Sequence, residues 1–225
     1  MSDIFDEIDE DLRADRARKL MQRYGGLLVA AAVLVVVGVG GWKAWQYRAA
    51  RETARVAETY LVAMRNADAP AVDAAGRQAA LVGFTAAIGE GGAGYRTIAR
   101  LRAAALTADA GDRAGAMALW DQVAGDTAAD PLLRDLANLH WAESGIDAGD
   151  PAAVAARLKP LVQPDNAWHA LAQEAQALLD LRQGNTSAAR TALQALARDV
   201  ATPDGVRGRA NGLLTRLGGD AAVGG

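Results

Sequence analysis

Two histidines, His140 and His169, are the side chains best suited to proton transfer or metal binding near neutral pH. Each stands beside a tryptophan, Trp141 and Trp168 respectively. A metal held on a helix needs further ligands on the same face, three or four residues away. His169 has no carboxylate or histidine three or four residues further on, and His140 has only Glu143, three residues on. One such pair is ordinary on a solvated helix face, so neither metal binding nor acid-base catalysis is expected. The chain has no cysteine, which removes disulfides, thiol catalysis and thiolate metal sites. The run "GEGGAG" at residues 89–94 lacks the Gly-Lys-Ser/Thr ending of a phosphate-cradling loop, and no strand precedes it, so it reads as a flexible link. No Gly-x-Ser-x-Gly elbow supplies a nucleophile. The expectation is a protein that is not an enzyme, with no cofactor, no metal and no small-molecule substrate.

With turnover set aside, composition bounds what remains. Hydrophobic residues make up 51% of the 225, yet aromatics only 5%, with alanine dominant and few β-branched runs outside one segment. That points to an all-α fold in which small side chains let helices approach closely. The net charge is −3 with both signs interspersed, so no basic patch suggests nucleic acid and no acidic tract suggests disorder.

The exceptional segment is "GGLLVAAAVLVVVGVGG", 17 residues without a charge at 25–41. As a helix it reaches about 26 Å, slightly short of the ~30 Å hydrocarbon thickness of a bilayer. Tyr24 before it, and Trp42, Trp45 and Tyr47 after it, are amphipathic rings suited to the two interfaces, and Lys43 can snorkel. A cleavable signal peptide fits less well. Seven carboxylates precede the run, and small residues at Gly38 and Gly40 lead straight into bulky Trp42. The reading is a single transmembrane helix over 25–47. Lys and Arg counts near its ends, five before and four after, leave orientation almost undecided.

The first 24 residues, "MSDIFDEIDEDLRADRARKLMQRY", place Ile4, Phe5, Ile8 and Leu12 at helical spacing, acidic residues among them and basic ones following. This reads as a solvated amphipathic segment, cytoplasmic if the slight charge excess sets the orientation, whose cationic end suits anionic headgroups; a docking element for a membrane-face partner is the sharper alternative.

Beyond the span, Gly111-Asp112, Gly149-Asp150 and Gly184-Asn185 recur 38 and 35 residues apart, each between two alanine-rich helical stretches. Seven residues before these glycines stand Ala104, Ala142 and Ala177; five after, Ala116, Val154 and Ala189; nine after, Trp120, Leu158 and Leu193. Small residues facing large ones are what two packed antiparallel helices require. Pro131 and Pro203 mark unit ends, and Pro151 suits a first helical turn. The middle unit is irregular, with its proline displaced to Pro160 or Pro164. An earlier unit over 49–89, patterned by Tyr60, Leu61, Met64, Leu81, Phe84 and Ile88, lacks the glycine turn. A last helix from about Asp204 to Leu217 caps the stack, and 218–225 is expected to be a flexible tail.

The pattern of small residue, Gly-Asp or Gly-Asn turn, alanine, large apolar residue and proline resembles the tetratricopeptide repeat family. It is carried by Ala104, Gly111, Asp112, Ala116, Trp120 and Pro131, and again by Ala177, Gly184, Asn185, Ala189, Leu193 and Pro203. The whole layout, an acidic-then-basic opening, one span ending "GVGGWKAWQ" and then loose repeats, resembles the bacterial membrane-anchored family typified by the ancillary subunit of the Sec translocon. That resemblance implies a repeat domain over 48–217 facing the periplasm, anchored in the inner membrane. It also implies partners among the translocon, periplasmic chaperones and exported polypeptides. An adaptor for cytochrome c maturation or cell-envelope assembly is the alternative.

If the glycine turns set the register, the first helix of each unit points Ile98 and Leu101, then Leu136, Leu139 and Glu143, then Leu171, Glu174 and Leu178, to the concave side that the family's geometry implies. These form the candidate partner-binding groove. The competing expectation is that they pack into the solenoid core.

Overall fold

The computed structural model describes residues 3–69 and 73–223; the side chains at 3–17, 19, 20, 25, 28, 32 and 219–223 are outside that description. The amphipathic reading of Ile4, Phe5, Ile8 and Leu12 therefore lies outside the described residues, as does the end of the tail at Gly224 and Gly225. The described residues form helices and no strand: α1 (Asp3–Ala67), α2 (Ala74–Glu90), α3 (Ala93–Asp109), α4 (Arg113–Ala124), α5 (Pro131–Gly145), α6 (Pro151–Leu158), α7 (His169–Arg182), α8 (Thr186–Arg198) and α9 (Asp204–Val223). The chain divides into two compact units, Met1–Ala54 and Arg55–Gly225.

In the first unit the acidic opening and the apolar run belong to one helix, since no proline interrupts residues 3–67 and glycine weakens a helix by about 1 kcal/mol without stopping it. Val29–Ala67 is long and apolar enough to cross a membrane. The described apolar side chains of its first part, 29–47, have no protein cover: Leu34 is 72% exposed and Val36 70%. Trp42 and Trp45 lie 5.5 Å apart, centroid to centroid, and the Arg51 guanidinium sits 4.3 Å over the Tyr47 ring. An amphipathic aromatic and basic band thus follows the apolar run, as an interface with water requires.

In the second unit the repeat arithmetic becomes packing. Ala104, Ala116 and Trp120 share one apolar cluster, Ala142, Val154 and Leu158 a second, and Ala177, Ala189 and Leu193 a third. All nine are buried. Within each cluster the alanines admit a neighbouring helix and the large residue fills the space beside it. A fourth cluster joins Val56 and Ala63 of α1, Phe84 of α2 and Ala99 of α3. Here the close approach is made by Gly83, where a Cβ would stand 2.8 Å from that of Ala63.

The turns explain the spacing. Gly111 and Gly184 take φ of +88° and +80°, the left-handed conformation that ends a helix. After α3, the Gly111 N–H meets the Ala108 carbonyl at 2.9 Å and the Asp112 N–H meets the Thr107 carbonyl at 3.1 Å. The Asp112 side chain then accepts from the Gly115 N–H at 2.9 Å and opens α4, so a single residue closes one helix and starts the next. Gly149 differs: it has no positive φ, and a Cβ there would lie 2.8 Å from the Gly145 carbonyl oxygen. Asp130 and Asp150 cap α5 and α6, with Pro131 and Pro151 in their first turns. The displaced Pro160 follows a short α6, and residues 159–168 form turns held by His169 Nδ1–H on the Val162 carbonyl at 2.7 Å. At the other end α9 continues past Leu217 to Val223, through Gly218 and Gly219, because nothing there forces a positive φ or removes an amide.

Candidate partner-binding face

The first helices of the later units, α5 and α7, pack directly on each other, and α7 packs on α9. Together they form one face. The groove residues fall on it, or on α3, in three different situations. Ile98 on α3 and Leu136 on α5 are half-buried and stand outside the four apolar clusters. Leu101, Leu171 and Leu178 are half-buried and lean on those clusters. Leu139 is a correction: at 1% exposure it is a core residue and offers no surface. It stands three residues from Leu136, on the inner side of the same helix.

Glu174 also departs from expectation. Its side chain is only 9% exposed, and the carboxylate accepts from Arg209 Nε at 2.6 Å and from Arg209 Nη2 at 2.5 Å, a bidentate pair joining α7 to α9. A buried carboxylate is tolerated only with such a partner. The pairing holds the Arg209 guanidinium above its ordinary value, through the hydrogen bonds to Glu174 first, then attraction to Glu174 and Glu143; burial works against it. Glu143 on α5 is 40% exposed and lies 3.0 Å from His140 Nδ1. Thus α5 and α7 present carboxylates toward the cationic α9.

Between α7 and α9 lies a hollow of about 370 Å³ lined by Glu174, Leu178, Arg209, Gly212, Leu213 and Arg216. Glu174 and Leu178 are residues the repeat register pointed to; the four from α9 were read only as a cap. The signal was present in the sequence, since Arg209, Gly212, Leu213 and Arg216 fall at i, i+3, i+4 and i+7, one face of a helix. A second hollow of about 340 Å³ adjoins the α3–α4 turn and includes Trp120, His140 and Glu143. The Trp120 and His140 rings are 5.7 Å apart, so His140 is committed to packing and to Glu143.

Arginines tie successive units together beneath this face. Arg182 at the end of α7 donates to the carbonyls of Ile146 and Gly149 at 2.6 and 2.9 Å, meeting the carbonyl-rich end of α5. Arg157 on α6 donates to Asn138 at 2.7 Å and to Asp121, and stacks 4.6 Å over Trp141.

This is a helical-repeat scaffold: helix pairs stacked on four successive apolar clusters, with one face left partly apolar and lined by charge. The chain belongs to the tetratricopeptide repeat-like domain family, whose model matches residues 18–208. Domains of this kind mediate contacts between proteins and typically serve as scaffolds rather than catalysts. No curated protein and no solved structure matches the chain.

Proposed function

We propose that the protein is a membrane-anchored scaffold that holds partner proteins on the α5–α7–α9 face. The observation that carries this is the set of half-buried apolar side chains there, Leu136, Leu178 and Leu213, the last two lining a hollow no part of the described chain fills. A partner would cover apolar surface that the solenoid leaves partly in water. The exposed apolar run of α1 supports anchoring by a single span. The resemblance in overall layout supports a finer reading. In it the N-terminus is cytoplasmic and the repeat domain periplasmic at a bacterial inner membrane, where it serves as an ancillary factor near the translocon for exported proteins or chaperones.

Two measurements test it. Protease added to spheroplasts should digest residues 55–225 and spare the N-terminal segment; protection of the repeat domain would reverse the orientation. A photo-cross-linker placed at Leu136 or Leu178 in intact membranes should capture translocon components, chaperones or exported chains. The same probe at Ala114, exposed on α4, serves as control. Equal capture from both positions would remove the case for the face.

A further inference from the structure

Building on that reading of the face, we propose that the α7–α9 hollow takes a partner segment carrying a large apolar side chain with a carboxylate close beside it. The apolar group enters between Leu178 and Leu213, and the carboxylate meets Arg216. The size of the hollow, about 370 Å³, lies at the low end of the ~300–1,000 Å³ range of ligand pockets. It suits an inserted side chain rather than a whole helix.

Charge selects the neighbour of that anchor. Of the two guanidiniums lining the hollow, Arg209 is neutralised by its bidentate hold on Glu174. Arg216, two turns further along α9, is exposed and makes no ion pair among the described residues. Among the described residues the rim therefore offers one unmatched positive charge. A basic segment would meet Arg216 as a like charge and find Glu174 already paired, whereas an acidic residue finds an open partner. An anionic lipid surface fits poorly, because the rim offers a single open cation with the Glu174 carboxylate on the same lining. The apolar anchor supplies most of the affinity and the exposed charge pair supplies the preference, because exposed pairs contribute little by themselves.

The test uses the full chain in lipid nanodiscs and three fluorescein-labelled twelve-residue peptides in a glycine-serine background, read by anisotropy. One carries Phe followed by two Asp, one Phe followed by two Lys, and one Ala followed by two Asp. The first should bind at least tenfold more tightly than either of the others. Arg216→Glu should invert the preference between the Asp and Lys peptides. Gly212→Trp should abolish binding of the first peptide: a Cβ at Gly212 meets no atom within 4 Å, so the indole fills the hollow without straining the helix. Both positions are exposed, and circular dichroism should be unchanged in both variants. Equal binding of the Asp and Lys peptides, no binding of any peptide, or indifference to Gly212→Trp would overturn the proposal. If cross-links from Leu178 still appear in any of those cases, the face stands as a binding surface and only the chemistry assigned to the hollow falls. If they are absent too, both fall.

Discussion

Arg209 and Glu174 form a two-pronged ion pair across two helices 35 residues apart in sequence, with the carboxylate buried and the guanidinium half in water. The asymmetry decides which partner matters more. Arg209→Ala leaves a buried carboxylate without its donors and should cost about 2 kcal/mol, whereas Glu174→Gln keeps an acceptor and removes the charge, costing about 1 kcal/mol or less. Denaturant unfolding of the detergent-solubilised chain would show the order; equal losses would mean the pair is screened as an ordinary surface contact.

The two left-handed turns predict a ranking among glycines. Alanine at Gly111 or Gly184 must adopt positive φ and should destabilise by about 1–2 kcal/mol, with asparagine the mildest replacement at Gly111. At Gly149 no positive φ is involved, so alanine and asparagine should be equally harmful there, both through the contact with the Gly145 carbonyl. Thermal melts of the six single variants would separate the two causes. An asparagine no better than alanine at Gly111 would contradict the backbone explanation.

Arg182 is expected to behave as a tie between units. Arg182→Leu keeps the apolar stem and deletes the hydrogen bonds to the end of α5, at a cost of about 1–2 kcal/mol. Hydrogen exchange should quicken at the amides of α5 and α7 while the α2–α3 cluster is unchanged. Uniform quickening across all helices would show instead that the units unfold as one.

Asp126 sets an acid limit. Its carboxyl accepts the Ala128 N–H at 3.0 Å and faces Arg100 and Arg96 at 3.1 and 3.5 Å. These hold it below its ordinary value of 3.8, the Ala128 bond foremost. A depressed carboxyl adds stability that is fully present above its unfolded value and is lost as pH falls through the lower folded one. Asp126→Asn should therefore destabilise the protein at neutral pH, and the difference from the unsubstituted chain should shrink below about pH 4. A difference that persists undiminished at pH 2 would assign the effect to shape rather than charge.

What could be read from residues alone follows from how local each cause is. The nine repeat positions, the turns at Gly111 and Gly184 and the helix start at Pro151 depend on neighbours a few residues away, and each appears where its spacing places it; Pro131, expected at a unit's end, opens α5. The face was harder. Leu136 and Leu139 lie three residues apart on one helix, and the positions of α6 and α7 decide that Leu139 is inside and Leu136 partly out. Spacing places Glu174 in the groove and names no partner for it, because its partner Arg209 sits on the last helix, 35 residues away. Long-range pairing of this kind leaves no periodic trace.

The clusters also differ in what they join. The three repeat trios each close largely within their own pair of helices and the next, so no single core runs through the stack. Drawn from both ends in a force spectrometer, such a chain should yield in a staircase of small drops, one hairpin surrendering before its neighbour. A single sharp rupture would mean the arginine ties have welded the units into one mechanical body.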